Sequence, residues 1–231
     1  MRTDGAIDML EVSAAADATA APARSLRDEA YELIKARIIM CAFRPGEVLS
    51  EAAVSATLGI GRTPVRQAFD RLMRDGLVEV LPRKGIVVRP ISHDEVHDLV
   101  EVRLINECFC ARLAAERAEP GHLAALATNV ALGVEAAAAR DVAELMALDR
   151  EFHAIVSAAA GNPVLADILK NLHERSQRVW FVSLRAPEHH QRVVVEHAAI
   201  VEALRSRDPD AAEAAVRTHI RSFVDNLNRQ L

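Results

Sequence analysis

From Ser92 to the C-terminus, helix-start signals recur at regular intervals and no stretch reads as a convincing strand. Ser92-His93-Asp94-Glu95 has the form of a capping box, with Ser92 as N-cap and Glu95 three residues on. Glu119-Pro120, Asp141, Asn162-Pro163, Pro187 and Asp208-Pro209 are further entry points. Short polar side chains accept the unpaired first-turn N–H groups, and proline lacks the N–H that would go unpaired. Six or seven helices are therefore expected over 91–231, with no internal repeat that would make them a solenoid. Alanine is abundant and aromatics make up only 3%, which suits helices packed closely through small side chains.

The first third of the chain reads differently. A helix is expected from Leu26 to Cys41, with Leu26, Ala30, Leu33, Ile34, Ile38 and Met40 as its apolar set, closed by Arg44-Pro45-Gly46. A second opens at Ser50-Glu51 and stops at Gly59. After Gly61-Arg62-Thr63, Pro64 takes the place of a first helical residue, where its fixed φ already suits a helix. Val65, Phe69 and Leu72 give that third helix a buried face, while Arg62 with Arg66, and Thr63 with Gln67, share exposed faces. The helix ends near Asp75-Gly76. Leu77–Val80 and Ile86–Val88 alternate as two short strands around the turn Pro82-Arg83-Lys84-Gly85. Three helices and a two-stranded hairpin make a winged helix-turn-helix. Its exposed arginines, hydroxyl and amide suit phosphates and base edges of a DNA major groove. The basic hairpin tip suits backbone phosphate or the minor groove. Arg89-Pro90-Ile91 is a linker, and residues 1–25 read as a disordered tail.

Charge follows this division. The formal net charge is −5, which argues against nonspecific nucleic-acid binding by the whole surface. Residues 26–90 carry eleven basic and eight acidic groups, a net of +3, and residues 91–231 carry fifteen and twenty-one, a net of −6. A basic module joined to an acidic one fits DNA binding by the first alone. The three cysteines, Cys41, Cys108 and Cys110, match no disulfide framework or zinc pattern and read as buried free thiols in a reducing cytosol. No apolar run reaches the roughly 20 residues that span a bilayer, and Asp4 and Asp8 stand where a secretory signal would be positive. The expectation is a soluble, cytoplasmic protein without membrane contact.

The helical half holds one constellation of chemical interest. Asp149 and His153 are four apart and share a helix face, while His197 and His219 lie on two later helices among alanines and β-branched residues. Three imidazoles and a carboxylate suit a divalent metal. Spacing alone favours the plainer reading, hydrogen-bonded histidines on mixed helix faces. His93, His97, His122, His173, His189 and His190 sit in polar or helix-end contexts and read as surface residues. Arg103, among Val102, Leu104, Ile105 and Phe109, reads as partly buried. It is either paired with Glu107 four residues on or kept for an anionic ligand.

Both halves resemble one family. Arg62-Thr63-Pro64-Val65-Arg66-Gln67-Ala68, then Leu72 and Asp75-Gly76-Leu77-Val78, with Arg44-Pro45-Gly46 before and Arg83-Lys84-Gly85 after, resembles the GntR family of bacterial transcription regulators. The second half resembles the FCD-type effector domain of its FadR subfamily, on Arg103 with Glu107, on Asp149, His153, His197 and His219, and on Gly161-Asn162-Pro163. The resemblance covers about residues 26–228. It implies a mainly α fold, with a winged helix-turn-helix over 26–90 followed by an all-α bundle over 91–231 for ligand binding and dimerisation. It further implies a homodimer on a palindromic double-stranded DNA operator, touched by Arg62, Thr63, Pro64 and Arg66 from the third helix and by Lys84 and Gly85 from the wing. Asp149, His153, His197 and His219 become metal ligands, for Zn, Ni or Mn, and Arg103 becomes the anchor of a small carboxylate effector. In a competing reading the metal itself is the signal. A metal-dependent hydrolase is also conceivable, since such a site could activate water, but it lacks a paired general base and leaves residues 61–88 unexplained. Two positions depart from the family. Gly61 replaces the usual serine or threonine, and Ala52 stands where an arginine is common, so two contacts to DNA are missing.

Overall fold

The computed structural model describes residues 25–90, 92–184 and 187–227. The expected tail lies outside these residues but for Ser25, which caps helix α1 (Leu26–Ile39) by accepting from the Asp28 N–H at 3.2 Å. Helix α1 stops short of Cys41, which takes a left-handed φ of 53° and is half-buried rather than buried. The inner face of α1 is Ala30, Tyr31, Ile34, Ile38 and Ile39. Leu26, Leu33 and Met40, expected inside, are exposed, because Tyr31 rather than Leu33 faces helix α3.

Gly46, at φ 81°, turns the chain and donates its N–H to the Val88 carbonyl at 2.8 Å. Strand β1 (Val48–Leu49) follows, then α2 (Glu51–Leu58), capped by the Ser50 hydroxyl and ended by left-handed Gly59. Helix α3 (Arg62–Arg74) starts at Gly61, so Pro64 is its third residue and not its first. Proline fits there as well, because the third N–H of a helix also lacks an intrahelical acceptor. Val65, Ala68, Phe69 and Leu72 of α3 pack on α1. Strands β2 (Val78–Leu81) and β3 (Gly85–Val88) form the expected antiparallel hairpin, one residue later on β2 than expected, with Val80 opposite Ile86. The sheet nevertheless has three strands, in the order β1-β3-β2. Strand β1 is too short to show alternation and is held only by its partner β3.

A contact between α1 and α3 braces this module. The Tyr31 hydroxyl donates to Asp75 at 2.7 Å, and the Arg71 guanidinium lies 3.6 Å from the Tyr31 ring centre.

Six helices follow: α4 (His93–Arg117), α5 (Pro120–Ala139), α6 (Val142–Ala159), α7 (Pro163–Ser183), α8 (Pro187–Arg205) and α9 (Pro209–Leu227). Asp141 and Asn162 cap α6 and α7 as expected. Ser92 stands at the N-cap of α4, but its hydroxyl makes no capping bond. Glu95 turns instead to Arg89 at 3.9 Å and Arg175 at 3.6 Å. Helix α4 packs against α6, α7, α8 and α9, which puts it at the centre of the bundle.

Helix α5 is a correction of another kind. At 20 residues with a window of mean hydropathy 1.3, it is long and apolar enough to cross a membrane by length and composition alone. Here it lies along α6 and α8, with Asn129 on its buried stripe donating to the Leu148 carbonyl and to Glu151. Gly133 faces α8, where a Cβ would stand in ordinary contact with Val194 at 3.4 Å.

The packing of α3 yields a direct prediction. Leu72 is fully buried, so Leu72→Ala should lower the stability of the winged module by about 2–5 kcal/mol in urea unfolding. A loss under about 1 kcal/mol would show that α3 is not held by that face.

Candidate functional site

The first candidate surface is the outer face of α3 with the tip of the β2–β3 hairpin. Arg62, Thr63, Arg66 and Gln67 are exposed, and Pro64 is half-buried. Arg62, Arg66 and Lys84 make no ion pair among the described residues, so their charge faces solvent. The first turn of α3 has no acidic residue, and Gly61 supplies no side-chain cap. Its N–H groups are therefore open to an anion such as a phosphate. At the wing, Arg83 at φ 66° and Gly85 at φ 96° make the tight turn that lifts Lys84 outward. Ala52, on α2, is exposed and carries no polar group to this surface.

The second candidate lies inside the bundle. Asp149 and His153 from α6, His197 from α8 and His219 from α9 bring one donor atom each to within 4.8 Å of one another. The Asp149 Oδ1 stands 3.7 Å from His153 Nε2 and 3.6 Å from His197 Nε2. Donors sharing one ion at about 2.1 Å stand roughly 3.0–3.5 Å apart, so these spacings are only slightly wider than a filled site needs. The His197 Nε2 is buried without a hydrogen-bond partner among the described residues, which is costly for a polar atom unless something ligates it. The His197 ring is stacked on Phe152 at 3.8 Å, fixing its direction. His219 points Nδ1 at Glu196, 3.0 Å away, which leaves Nε2 for coordination. A carboxylate behind a histidine is the arrangement that orients metal-bound imidazoles.

Electrostatics suit the same use. Burial drives the His153 and His197 imidazoles well below the ordinary histidine value, so both are neutral near pH 7, the form that binds a metal. Burial also pushes the Asp149 carboxyl up to about 6. The donor set of three imidazoles and one carboxylate fits a divalent ion of the first transition row.

Beside it sits a buried ion pair. Arg103 is buried and donates from Nε to Glu107 at 2.5 Å, forming the ion pair. Glu107 also lies 3.5 Å from His153 Nδ1 and 3.2 Å from His173 Nε2. Burial would raise its carboxyl, but the Arg103 guanidinium outweighs it and holds the group well below the usual carboxylate range. Glu107, His153 and His173 form a second cluster with metal-like spacing that shares His153 with the first. Arg103, Asp149, His173, Trp180 and His219 line a cleft of about 20 Å³, room for little more than one water.

Three histidines thus depart from the surface reading. His173 faces the cluster, His189 packs edge-on to Trp180, and His190 bonds the Leu184 carbonyl at 2.6 Å at the end of α7. Leu169, Ser176 and Trp180 are all buried on α7, and their spacing puts His173 on the same face, a signal that could have revealed it. His97 is exposed as expected and His122 is half-exposed, while the side chain of His93 lies outside what is described.

Comparison with known proteins bears on both candidates. Residues 26–88 match the model of the bacterial regulatory proteins of the gntR family, and residues 98–222 match the FCD domain. The chain is 28% identical to the HTH-type transcriptional repressor RspR of Escherichia coli (strain K12), over 90% of this chain and 91% of that one. It is 30% identical to the HTH-type transcriptional repressor NanR of Cronobacter sakazakii, over 85% of this chain and 82% of that one. The solved structure of E. coli McbR/YncC superposes with a TM-score of 0.79 at 20% identity, covering 90% of this chain and 99% of that one, which establishes likeness of fold alone. With an N-terminal winged helix-turn-helix and a C-terminal FCD domain matched in that order, the chain belongs to the FadR-like subfamily of the GntR family and is a DNA-binding transcription regulator.

Proposed function

We propose that this regulator acts as a homodimeric, cytoplasmic repressor whose hold on DNA is set by a divalent metal and a small carboxylate effector in the helical domain. The observation that carries this reading is the convergence of Asp149, His153, His197 and His219 beside the buried Arg103. Residues 26–90 would act as the DNA-reading module and 91–231 as the effector and dimerisation domain. Arg62, Thr63, Pro64 and Arg66 would meet the operator from α3, and Lys84 and Gly85 from the wing.

Dimerisation is supported by an exposed apolar stripe on α4, where Val102, Ile105 and Phe109 are 43%, 72% and 52% exposed. A second copy is the partner that a two-half-site operator calls for. A bound divalent ion would attract an effector carboxylate by Lewis-acid chemistry. Arg103 supplies a second, planar anchor for the same carboxylate, and to do so it must share or give up Glu107. Phe152 and Trp180 exclude water around the histidines, which strengthens these interactions. Ligand binding then biases DNA-bound against free states by its differential affinity for the two. A second reading, in which metal alone is the signal, is favoured by the small cleft, which must open before an organic acid can enter.

Two measurements test this account. Arg66→Ala should weaken operator binding by about ten-fold or more in a gel shift at fixed salt, since a lost base contact costs about 1–3 kcal/mol. Unchanged affinity would remove α3 from the interface. His197→Ala should lower the metal content of protein purified under metal-replete conditions, read by elemental analysis. Wild-type protein carrying none would contradict the metal assignment. If metal without any organic acid shifts operator affinity, the second reading replaces the first.

A further inference from the structure

Helix α7 faces two cavities at once. His173, Ser176, Gln177 and Trp180 line the cleft against Asp149 and His219. One step around the same helix, Asn171, Glu174 and Arg175 line a gap of about 390 Å³ between the bundle and the winged module, opposite Lys35, Asp75 and Arg89. The helix is thus a wall shared by the histidine cluster and the DNA-reading half.

Each face is gripped. On the cluster side, His173 Nε2 lies 3.2 Å from Glu107, and the Trp180 ring stands 6.4 Å from that of His219. On the module side, Glu174 pairs at 3.1 Å with Lys35 of α1, a lysine that is only 8% exposed. Arg178, four residues after Glu174 and so on the same face, is buried and donates to the backbone carbonyls of Arg89 and Pro90 in the linker. Buried charges of this kind tolerate little displacement, because a lost partner leaves a desolvated charge behind. His173 and Glu174 are consecutive on a rigid helix, so a shift that follows the first must move the second. From Lys35 the path continues on α1 to Tyr31, four residues earlier, which contacts Arg71 and Asp75 at the end of α3.

We propose that α7 is the lever through which the histidine site sets the pose of the DNA-reading module, with His173 as the residue that reads the site and Glu174–Lys35 and Arg178 as the grip on α1 and the linker. The proposal rests on reading the histidine cluster as the regulatory site. An effector carboxylate that draws Arg103 from Glu107 changes the partner of His173, and α7 carries that change to Lys35.

The test is amide hydrogen exchange in full-length protein with chelator present, comparing wild type, His173→Ala, Glu174→Gln and the double variant. Distant changes without shared partners add independently, within about a factor of two. The lever predicts that His173→Ala speeds exchange in α1 and at residues 87–89 by more than that factor, and adds nothing once Glu174→Gln is present. Wild-type exchange in α1 of His173→Ala, or full additivity in the double variant, would overturn it. Exchange in α5, away from the lever, reports global loosening. If it rises equally, His173→Asn is judged by the same criteria. A separate arm adds zinc to metal-free wild type and follows the fluorescence of Trp180, the single tryptophan. No change there, with no bound metal, removes the metal reading of the cluster, while the exchange result still decides the lever.

Discussion

The buried carboxylate of Glu107 is the constraint around which the helical domain is arranged. It is 4% exposed and sits on the central helix α4. A charge so placed is tolerable only when paired and hydrogen-bonded, and removing one partner of such a pair costs about 3–5 kcal/mol. Arg103 answers it from the same helix, His153 from α6 and His173 from α7. Polar groups of three helices thereby meet at one carboxylate within the apolar packing. Arg207 reaches back from the turn before α9 to the Ala115 and Ala118 carbonyls at the end of α4, fixing that helix from its other end.

The same constraint bears on the proposed regulatory role of the site. His153 stands between two acids, Glu107 at Nδ1 and Asp149 at Nε2. One histidine therefore ties the ion-paired group to the candidate metal ligands. In the proposed mechanism, whatever binds Asp149, His153, His197 and His219 would be felt at Glu107, and whatever draws on Arg103 would be felt at His153. A packed core with two discrete arrangements of these partners would respond as a switch and not as a graded spring. The winged half carries no such buried charge cluster among the described residues. It presents cations of α3 and the wing to solvent, held by an apolar core and the Tyr31 brace.

Much of this was legible in the sequence, and the reason is local chemistry. The entries of α5 to α9 were readable because capping and proline placement depend on a few neighbouring residues. The apolar face of α3 was readable because Val65, Phe69 and Leu72 share one period. The grouping of Asp149 with three histidines needed the family resemblance, since helix-face spacing joins only Asp149 to His153. Features that depend on distant partners escaped. Strand β1 has two residues and exists through β3. His173 looked like a surface residue among polar neighbours and is half-buried, turned toward Glu107 of α4 and His153 of α6. The Ser92 capping box failed because Glu95 found Arg89 and Arg175, the latter eighty residues on. The Lys35–Glu174 pair spans the two halves and has no local signature at all.

The central claim is that one ion sits among Asp149, His153, His197 and His219. Anomalous scattering from a crystal grown with zinc, collected at the metal edge, tests it most directly. The account predicts a single peak bounded by those four side chains, with ligand distances of about 2.0–2.2 Å. A peak between Glu107 and His173 instead, or no peak within the bundle, would contradict it.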